Sequence, residues 1–345
     1  MAVKQSKLPE EFVNRSPKFR HILLTLLCPW LLFGLTNWGA NLYLKNFPQN
    51  RGYWLIQQKW SLLKSLKQPV DWLVLGDSSC NQGIIPNVLE QELSGKAINL
   101  CTIGDSLVLN DAWMLSKHIK EYGAPKNIIL VRVYDVWQRE INWNVTSQTP
   151  LAWGYWNNLE PKVAVSFQQQ KEIFLNRYIP LYSQNTSLKK VIEESDRAFE
   201  KRYQLAQKGF MAVEKANSWE VEEDTKRHIK DTKDKTDYSF SQTNQQAIAS
   251  IIKLAEEHDI NIYIANSPLY KGLYQNPDFR AYYDGVQREL NKISDRSNKV
   301  KRIFPIPMTF SKDQMDNADH VITSAAEEYT KQLAKEIKQT SPGIE

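Results

Sequence analysis

The chain has 345 residues, a formal net charge of +5 and a hydrophobic fraction of 42%, which is enough for a well-filled core. No long basic tract with interleaved aromatic residues occurs, and this argues against a nucleic-acid partner. We expect one α/β domain with attachments rather than two equal domains.

The first feature along the chain is an uncharged segment, residues 22–44, that follows a basic tail, residues 1–20. At about 1.5 Å per residue, such a segment can cross roughly 30 Å of hydrocarbon. The sequence therefore predicts a transmembrane helix over residues 21–44, with a cytoplasmic tail and an extracytoplasmic main domain. A cleaved signal peptide is the alternative, because the apolar core is densest over residues 22–35. We prefer an uncleaved anchor, because no convincing cleavage site follows.

An amphipathic linker helix is predicted next, within residues 45–69. The main domain, residues 70–340, then alternates strand-like and helix-like segments. The predicted strands are 70–75, 97–101, 127–133, 261–265 and 302–305, and the predicted helices are 85–93, 107–122, 243–258, 277–294 and 325–337. This alternation predicts an α/β protein, a flavodoxin-like three-layer α/β/α fold with a parallel five-stranded sheet.

Residues 138–240 interrupt the alternation. A stretch of this length is too long for a connecting loop, so we expect a helical insertion. Its charged part, residues 189–235, is interpreted as solvated helical surface. The tryptophans at 137–156 either line a sugar-binding cleft or form core beneath the insertion, and we favour the core.

Gly76-Asp77-Ser78-Ser79 directly follows the first predicted strand. A serine at the point where a buried strand turns into a helix has an exposed hydroxyl beside free backbone N–H groups. It becomes a nucleophile only when an imidazole accepts its proton. We therefore predict that Ser78 is a nucleophile. The structural alternative is a helix N-cap at Ser78 or Ser79.

His320 is the histidine best placed to serve as this base. It follows a strand-like segment by a short polar loop and precedes the final helix, where loops at the carboxyl ends of parallel strands converge. The alternative is that His320 is only a polar loop residue. The remaining histidines border the apolar segment or lie in a helical pattern, a charge-dense stretch or a turn: His21, His118, His228 and His258.

The three cysteines offer few possibilities. Cys28 lies in the apolar segment and is expected to pack there. Cys80 and Cys101 should lie at the carboxyl ends of neighbouring strands, where a disulfide is compatible with an extracytoplasmic location. The sequence favours two buried thiols, because spacing alone does not establish disulfide geometry. Neither set of neighbours has a metal-ligand spacing, so we predict no metal and no organic cofactor.

Three segments resemble blocks of the SGNH, or GDSL-type, hydrolase superfamily. The run LVLGDSSCNQGIIPNVLEQEL resembles the first block, with Ser78 at the nucleophile, and AINLCTIGDSL resembles the second, with Gly104 at the oxyanion-hole glycine. The segment DNADHVITSAAEEYTKQLAKEI resembles the last block, an aspartate and a histidine before the final helix. The resemblance covers residues 70–135 and 243–340 and leaves the insertion uncovered.

The third block departs from the family. Arg132-Val133-Tyr134-Asp135 stands where the family has glycine, any residue, asparagine and aspartate. Tyr134 would therefore have to replace the asparagine as oxyanion donor through its hydroxyl. The resemblance places Asp77 and Asp135 beside the substrate.

The last block departs as well, because Asn317 stands at the position of the family's aspartate. Asp316 and Asp319 flank that position, and either can orient the imidazole of His320. We favour Asp316, because a carboxylate on the adjacent residue normally points elsewhere.

The resemblance implies a membrane-anchored serine acyl-ester hydrolase or O-acyltransferase, with the backbone N–H groups of Ser78 and Gly104 as the oxyanion hole. Membrane-anchored relatives with relaxed blocks are associated with acylation of cell-surface polysaccharides. The implied partners are thus a membrane, an acylated carbohydrate or other ester, and a multi-pass membrane acyltransferase. The alternative is a catalytically inactive binding or accessory subunit of an envelope polysaccharide assembly complex, which the altered blocks favour.

Overall fold

The computed structural model describes residues 17–341, without the side chains of residues 17–20 and 23. The strands are β1 (Trp72–Gly76), β2 (Ala97–Asn99), β3 (Asn127–Arg132), β4 (Asn261–Asn266), β5 (Leu269–Tyr270), β6 (Val300–Ile303) and β7 (Thr309–Phe310). The helices are α1 (Pro17–Asn46), α2 (Arg51–Lys64), α3 (Ser78–Gly83), α4 (Pro86–Glu92), α5 (Leu107–Tyr122), α6 (Trp143–Thr146), α7 (Phe167–Tyr178), α8 (Pro180–Ser183), α9 (Asn185–Glu193), α10 (Ser218–Thr232), α11 (Gln242–His258), α12 (Lys271–Gln275), α13 (Pro277–Ser294) and α14 (Thr323–Thr340).

The centre of the protein is a parallel five-stranded sheet with the strand order β2–β1–β3–β4–β6. Each of these strands begins and ends within two residues of its predicted boundaries, so the mixed α/β class and the parallel sheet are confirmed. Every residue of β1 and β3 is buried, as expected for a parallel sheet covered on both faces. A second sheet, β5 paired with β7, was not predicted from the sequence.

The hydrophobic core lies on both faces of this sheet. Leu73 and Leu75 of β1 belong to the cluster that also contains the buried side chains of α5, α11 and α13. Trp72 and Val74 point the other way, into the cluster formed with α4 and α14. Successive side chains of a strand face opposite sides, so this alternation places helices on both faces of β1.

Helix α2, predicted as part of a linker, packs into the domain. Leu55, Trp60 and Leu63 are buried, and Lys59 is buried beside them. The ammonium group of Lys59 donates hydrogen bonds to Asn99 O at 2.8 Å, Asn99 Oδ1 at 3.0 Å and a third oxygen, that of Gly209, at 2.5 Å. These contacts fix α2 against the carboxyl end of β2.

Helix α1 contains the segment predicted to cross a membrane, residues 21–44. Most of its large apolar side chains are exposed, and Trp30 is 74% exposed. Asn37 contacts the insertion: its amide donates to Tyr178 O at 2.8 Å, and Leu181 N donates to its Oδ1 at 3.4 Å. Within residues 17–341 we find no helix with both the length and the apolar character needed to span a bilayer, so the predicted transmembrane helix is unsupported.

The insertion, residues 138–240, contains α6 to α10 and short 3-10 turns. Its charged part is not uniformly solvated as interpreted from the sequence, because α10 buries Val221, Asp224 and His228. Trp156 of the tryptophan group is core, whereas Trp153 is 44% exposed.

Cys80 and Cys101 form a disulfide, with their Cα atoms 5.8 Å apart. The preference for two buried thiols was therefore wrong. The physical reason is the pairing of β1 with β2, which brings the residues just beyond the carboxyl ends of both strands within bonding range. The disulfide joins α3 to the loop after β2.

Candidate functional site

The turn between β1 and α3 is held in one conformation by its own residues. Gly76 has a φ of +151°, and a Cβ at this position would lie 1.9 Å from the carbonyl oxygen of Val131. Asp77 caps α3, because its Oδ1 accepts from Ser79 N at 3.0 Å and from Ser79 Oγ at 2.6 Å. Its Oδ2 accepts from Val133 N at 2.7 Å, which ties the turn to the end of β3.

This arrangement distinguishes the two serines. Ser79 is fully buried and its hydroxyl is bound to Asp77. Ser78 is partly exposed, and its hydroxyl makes no hydrogen bond to any residue in the described range 17–341. Asp77 has no exposed surface and its carboxylate holds the turn together; the substrate contact expected from the sequence stays a prediction.

Ser78 and His320 line the same cavity, which has a volume of about 220 Å³. The two residues come from the turn after β1 and the loop before α14, and therefore from opposite ends of the domain sequence. The rest of the wall is formed by α2, α3, the loop after β2 and the loop before α14, through Arg51, Gly52, Leu55, Asn81, Gln82, Ile103, Asp316 and Asn317.

Two amide side chains in this wall were not singled out from the sequence. Asn81 and Gln82 are each 1% exposed, and neither amide has a hydrogen-bond partner within residues 17–341. A buried polar group without a partner costs about 1–3 kcal/mol. Both residues line the cavity that contains Ser78, and their amide groups are buried without partners among the described residues.

Asp319 holds the imidazole of His320. His320 Nδ1 lies 2.5 Å from Asp319 Oδ1 and 2.9 Å from Asn317 Oδ1. Two acceptors on Nδ1 require a proton there, which leaves Nε2 of a neutral ring free to accept one. Asp316, favoured from the sequence, instead donates its backbone N–H to His320 O at 2.8 Å.

The chain reverses direction around this loop, because Met315 and Val321 form an antiparallel bridge. The reversal brings the carboxylate of Asp319 back to the ring of the next residue. The expectation that an adjacent carboxylate points elsewhere does not apply to such a tight turn.

Burial and nearby charges act in opposite directions on the pKa values of His320 and Asp319. Burial lowers the pKa of His320, but the charge and hydrogen bond of Asp319, with smaller effects of Asp77 and Asp316, raise it above its ordinary value. For Asp319, burial raises the pKa, and the nearby His320, His228 and Arg139 outweigh burial and lower it. Asp319 is thus an ionised carboxylate beside a more basic imidazole.

A second histidine lies on the other side of Asp319. His228 Nε2 is 3.7 Å from Asp319 Oδ2 and 3.3 Å from Asp224 Oδ2. Burial lowers the pKa of His228, but its contact with Asp224 and the charge of Asp319 raise it above the ordinary value. The sequence contains one signal for this pair: Asp224 and His228 are four residues apart, which places both side chains on one face of a helix.

Tyr134, expected as an oxyanion donor, does not line the cavity. Its hydroxyl lies 2.5 Å from His228 Nδ1, and the side chain is 2% exposed. Its ring packs on Phe279 with the ring centroids 4.8 Å apart. The hydroxyl is therefore paired with His228 of the insertion.

Gly104 begins a 3-10 turn directly after the cavity residue Ile103. A Cβ on Gly104 would lie 2.7 Å from Arg139 Nη1, so the guanidinium covers this glycine. Arg139 also bridges Asp105 and Asp135, with N–O distances of 2.7 Å to each. Asp135, expected beside the substrate, is therefore paired with Arg139.

A hydroxyl and an imidazole held by a carboxylate, beside the start of a helix, are groups that acyl transfer uses. Comparison with known proteins adds nothing to this chemistry, because no protein-family model and no curated protein matches the chain.

Proposed function

We propose that the protein is a serine acyl-ester hydrolase or O-acyltransferase of the SGNH type that acts on a cell-envelope polysaccharide or a related ester. The observation that carries the proposal is that Ser78 and His320 line one cavity while Asp319 holds His320 Nδ1. The strand order β2–β1–β3–β4–β6 supports it, because it is the flavodoxin-like order, whose ligands bind at the carboxyl ends of the strands next to β1.

In the proposed reaction, Ser78 Oγ attacks the acyl carbonyl and His320 Nε2 takes its proton. Asp319 stabilises the resulting imidazolium. The protonated His320 then gives the proton to the departing alcohol, which leaves an acyl-serine. Water or a sugar hydroxyl attacks this ester in the second half, and His320 again takes and returns the proton.

The backbone N–H groups of Ser78 and Gly104 would stabilise the oxyanion in this mechanism, and we assign the third donor to the α3 amides. Asn81 and Gln82 line the cavity and lack partners among the described residues, whereas the Tyr134 hydroxyl is paired with His228. Since one oxyanion donor is worth roughly 10²- to 10³-fold in rate, we expect the amide that donates to change turnover by that factor when truncated to alanine.

The size of the cavity supports a short acyl group. Its volume of about 220 Å³ is below the roughly 300–1,000 Å³ of sites that take drug-sized ligands. An acetyl group fits this volume together with part of the acceptor. The ratio of hydrolysis of p-nitrophenyl acetate to that of p-nitrophenyl octanoate measures this preference.

We further propose that the protein is attached to a membrane with its α/β domain in an oxidising extracytoplasmic compartment, where an acyltransferase partner would act. The exposed apolar side chains of α1 support the attachment, because contiguous exposed apolar surface marks contact with lipid or protein. The Cys80–Cys101 disulfide supports the compartment. Release of the full-length protein by a high-salt wash would contradict the attachment.

A fluorophosphonate probe tests the catalytic serine. We expect the protein to be labelled, Ser78→Ala to abolish labelling, and His320→Ala to slow it strongly. Ser79→Ala is the matched control, because its hydroxyl is buried against Asp77 and should affect stability more than labelling. If Ser79→Ala and not Ser78→Ala removed the label, the assignment of the nucleophile would be wrong.

A non-catalytic polysaccharide-binding subunit is the second candidate. It is favoured by one observation: no hydrogen bond joins Ser78 to His320 in the part of the chain that the structure describes. Folded protein that binds an acylated polysaccharide, shows no labelling and hydrolyses no ester would support this candidate and overturn the enzyme proposal. In that case Asn81→Ala and Gln82→Ala should weaken binding.

A further inference from the structure

Three groups able to ligate a metal ion meet on the insertion side of the candidate catalytic loop. Asp224, His228 and Asp319 bring one imidazole nitrogen and two carboxylate oxygens within 4.8 Å of one another. All three side chains are buried, with exposed fractions of 3%, 7% and 5%. Two carboxylates and an imidazole in one buried place need either a shared proton or a shared cation.

The nitrogen that faces the two carboxylates has no hydrogen-bond partner among residues 17–341. His228 Nδ1 is paired with the hydroxyl of Tyr134, and His228 Nε2 is unpaired. Its separations of 3.3 Å from Asp224 Oδ2 and 3.7 Å from Asp319 Oδ2 exceed the usual hydrogen-bond length of about 2.9 Å. Ligands about 2.0–2.2 Å from a tetrahedral zinc ion lie roughly 3.3 Å apart, which is close to these separations.

The surroundings of the cluster supply the outer contacts that metal ligands need. Arg227 pairs with Asp224 Oδ1, so Oδ2 is the oxygen that faces the cluster. Asp319 Oδ1 is occupied by His320, and its Oδ2 likewise faces the cluster. The Tyr134 hydroxyl lies 2.5 Å from Nδ1 and can accept from Nδ1–H, an arrangement that leaves the lone pair on Nε2, as outer partners of metal-bound histidines do.

We propose that Asp224, His228 and Asp319 form a binding site for a divalent transition metal, with zinc as the ion that best suits one nitrogen and two oxygen ligands. The ion is held by two residues of the insertion and one of the loop that precedes α14. It fixes Asp319 and, through Asp319 Oδ1, the ring of His320. The site shares Asp319 with the proposed catalytic residues but uses neither Ser78 nor the cavity, so zinc binding goes beyond the proposed esterase chemistry.

Zinc titration of the full-length protein, after removal of metals with a chelator, tests the site. We expect one zinc ion per chain by calorimetry and by elemental analysis. His228→Ala and Asp224→Asn should each weaken binding at least 100-fold, and Tyr134→Phe, which removes only the outer contact, should weaken it about 10- to 100-fold. His258→Ala, an exposed histidine, and Asp316→Asn, a neighbouring carboxylate, are the matched controls and should bind as the unchanged protein does.

The proposed site would be overturned if the unchanged protein bound no zinc, or if His228→Ala and Asp224→Asn left zinc binding intact. His228 would then be an imidazolium between two carboxylates. Should His228→Ala fail to fold, the visible absorption of Co²⁺ in the unchanged protein decides the matter, because a tetrahedral site produces intense bands and an unbound ion does not. Ser78→Ala should bind zinc normally, so failure of the esterase proposal and failure of the metal site are separable.

Discussion

Replacement of Gly76 by alanine tests whether the turn before Ser78 depends on glycine. Its φ of +151° lies in a region that other residues rarely adopt, at a cost of about 1–3 kcal/mol. The new Cβ would lie 1.9 Å from the carbonyl oxygen of Val131 in the neighbouring strand. Relief of this overlap requires β1 and β3 to separate, which costs about another 1–3 kcal/mol by analogy with overpacked cores. We therefore expect Gly76→Ala to lower the free energy of unfolding by about 3 kcal/mol or more.

Gly154→Ala is the matched control. Gly154 also has a positive φ, +80°, but a Cβ there meets no atom within 4 Å. Only the cost of the left-handed conformation remains, about 1–2 kcal/mol, and the lower entropy of the unfolded alanine chain offsets part of it. Urea unfolding followed by far-UV circular dichroism measures both variants. Equal losses in the two would show that the approach of β1 to β3 does not require glycine, and would refute the reasoning.

Three further predictions concern buried contacts, and each is read from urea unfolding. Replacement of both Cys80 and Cys101 by alanine removes a disulfide that joins residues 21 apart, and should lower the free energy of unfolding by about 3 kcal/mol. A reducing agent should then have no further effect on this variant. Burial lowers the pKa of Lys59 well below 10.5. Between that lowered pKa and 10.5 the unfolded chain binds one more proton than the folded protein, so the free energy of unfolding should rise as the pH approaches 10.5. Lys59→Met should lack this rise, and parallel pH profiles of the two proteins would contradict the prediction. Asp111→Leu should cost about 3–5 kcal/mol because it leaves the fully buried Arg132 unpaired, and addition of Arg132→Met should recover part of that loss.

The sheet was predictable because its signal is local. Strands β1 and β3 are short runs buried at every position, and β4 is buried at five of its six. The turn at Gly76 was predictable for a related reason, since strand, turn and helix follow one another within a few residues. The small sheet of β5 and β7 was not, because strands of two residues leave no periodicity to detect.

The identity of the carboxylate beside His320 depends on the path of the loop, which the sequence pattern does not specify. Asp316 lies four residues before His320 and Asp319 lies directly before it, and only the folded loop, closed by the antiparallel bridge of Met315 with Val321, shows that Asp319 is the one that reaches the ring. The disulfide was difficult to predict for the same reason, because its formation depends on the distance between two strand ends. Such choices are set by tertiary geometry, and residue spacing alone does not resolve them.

A residue of the insertion lies beside the loop that carries Asp319 and His320, so the candidate site extends beyond the sequence motifs. Asn317, at the position where the resembled family has its acid, reaches His320 Nδ1 at 2.9 Å with an amide oxygen that carries no charge. The charge comes from Asp319, whose second oxygen lies 3.7 Å from His228 of α10. Asp319 therefore contacts the ring of His320 with one oxygen and faces the insertion with the other. The loop before α14 and the insertion thus meet at one carboxylate.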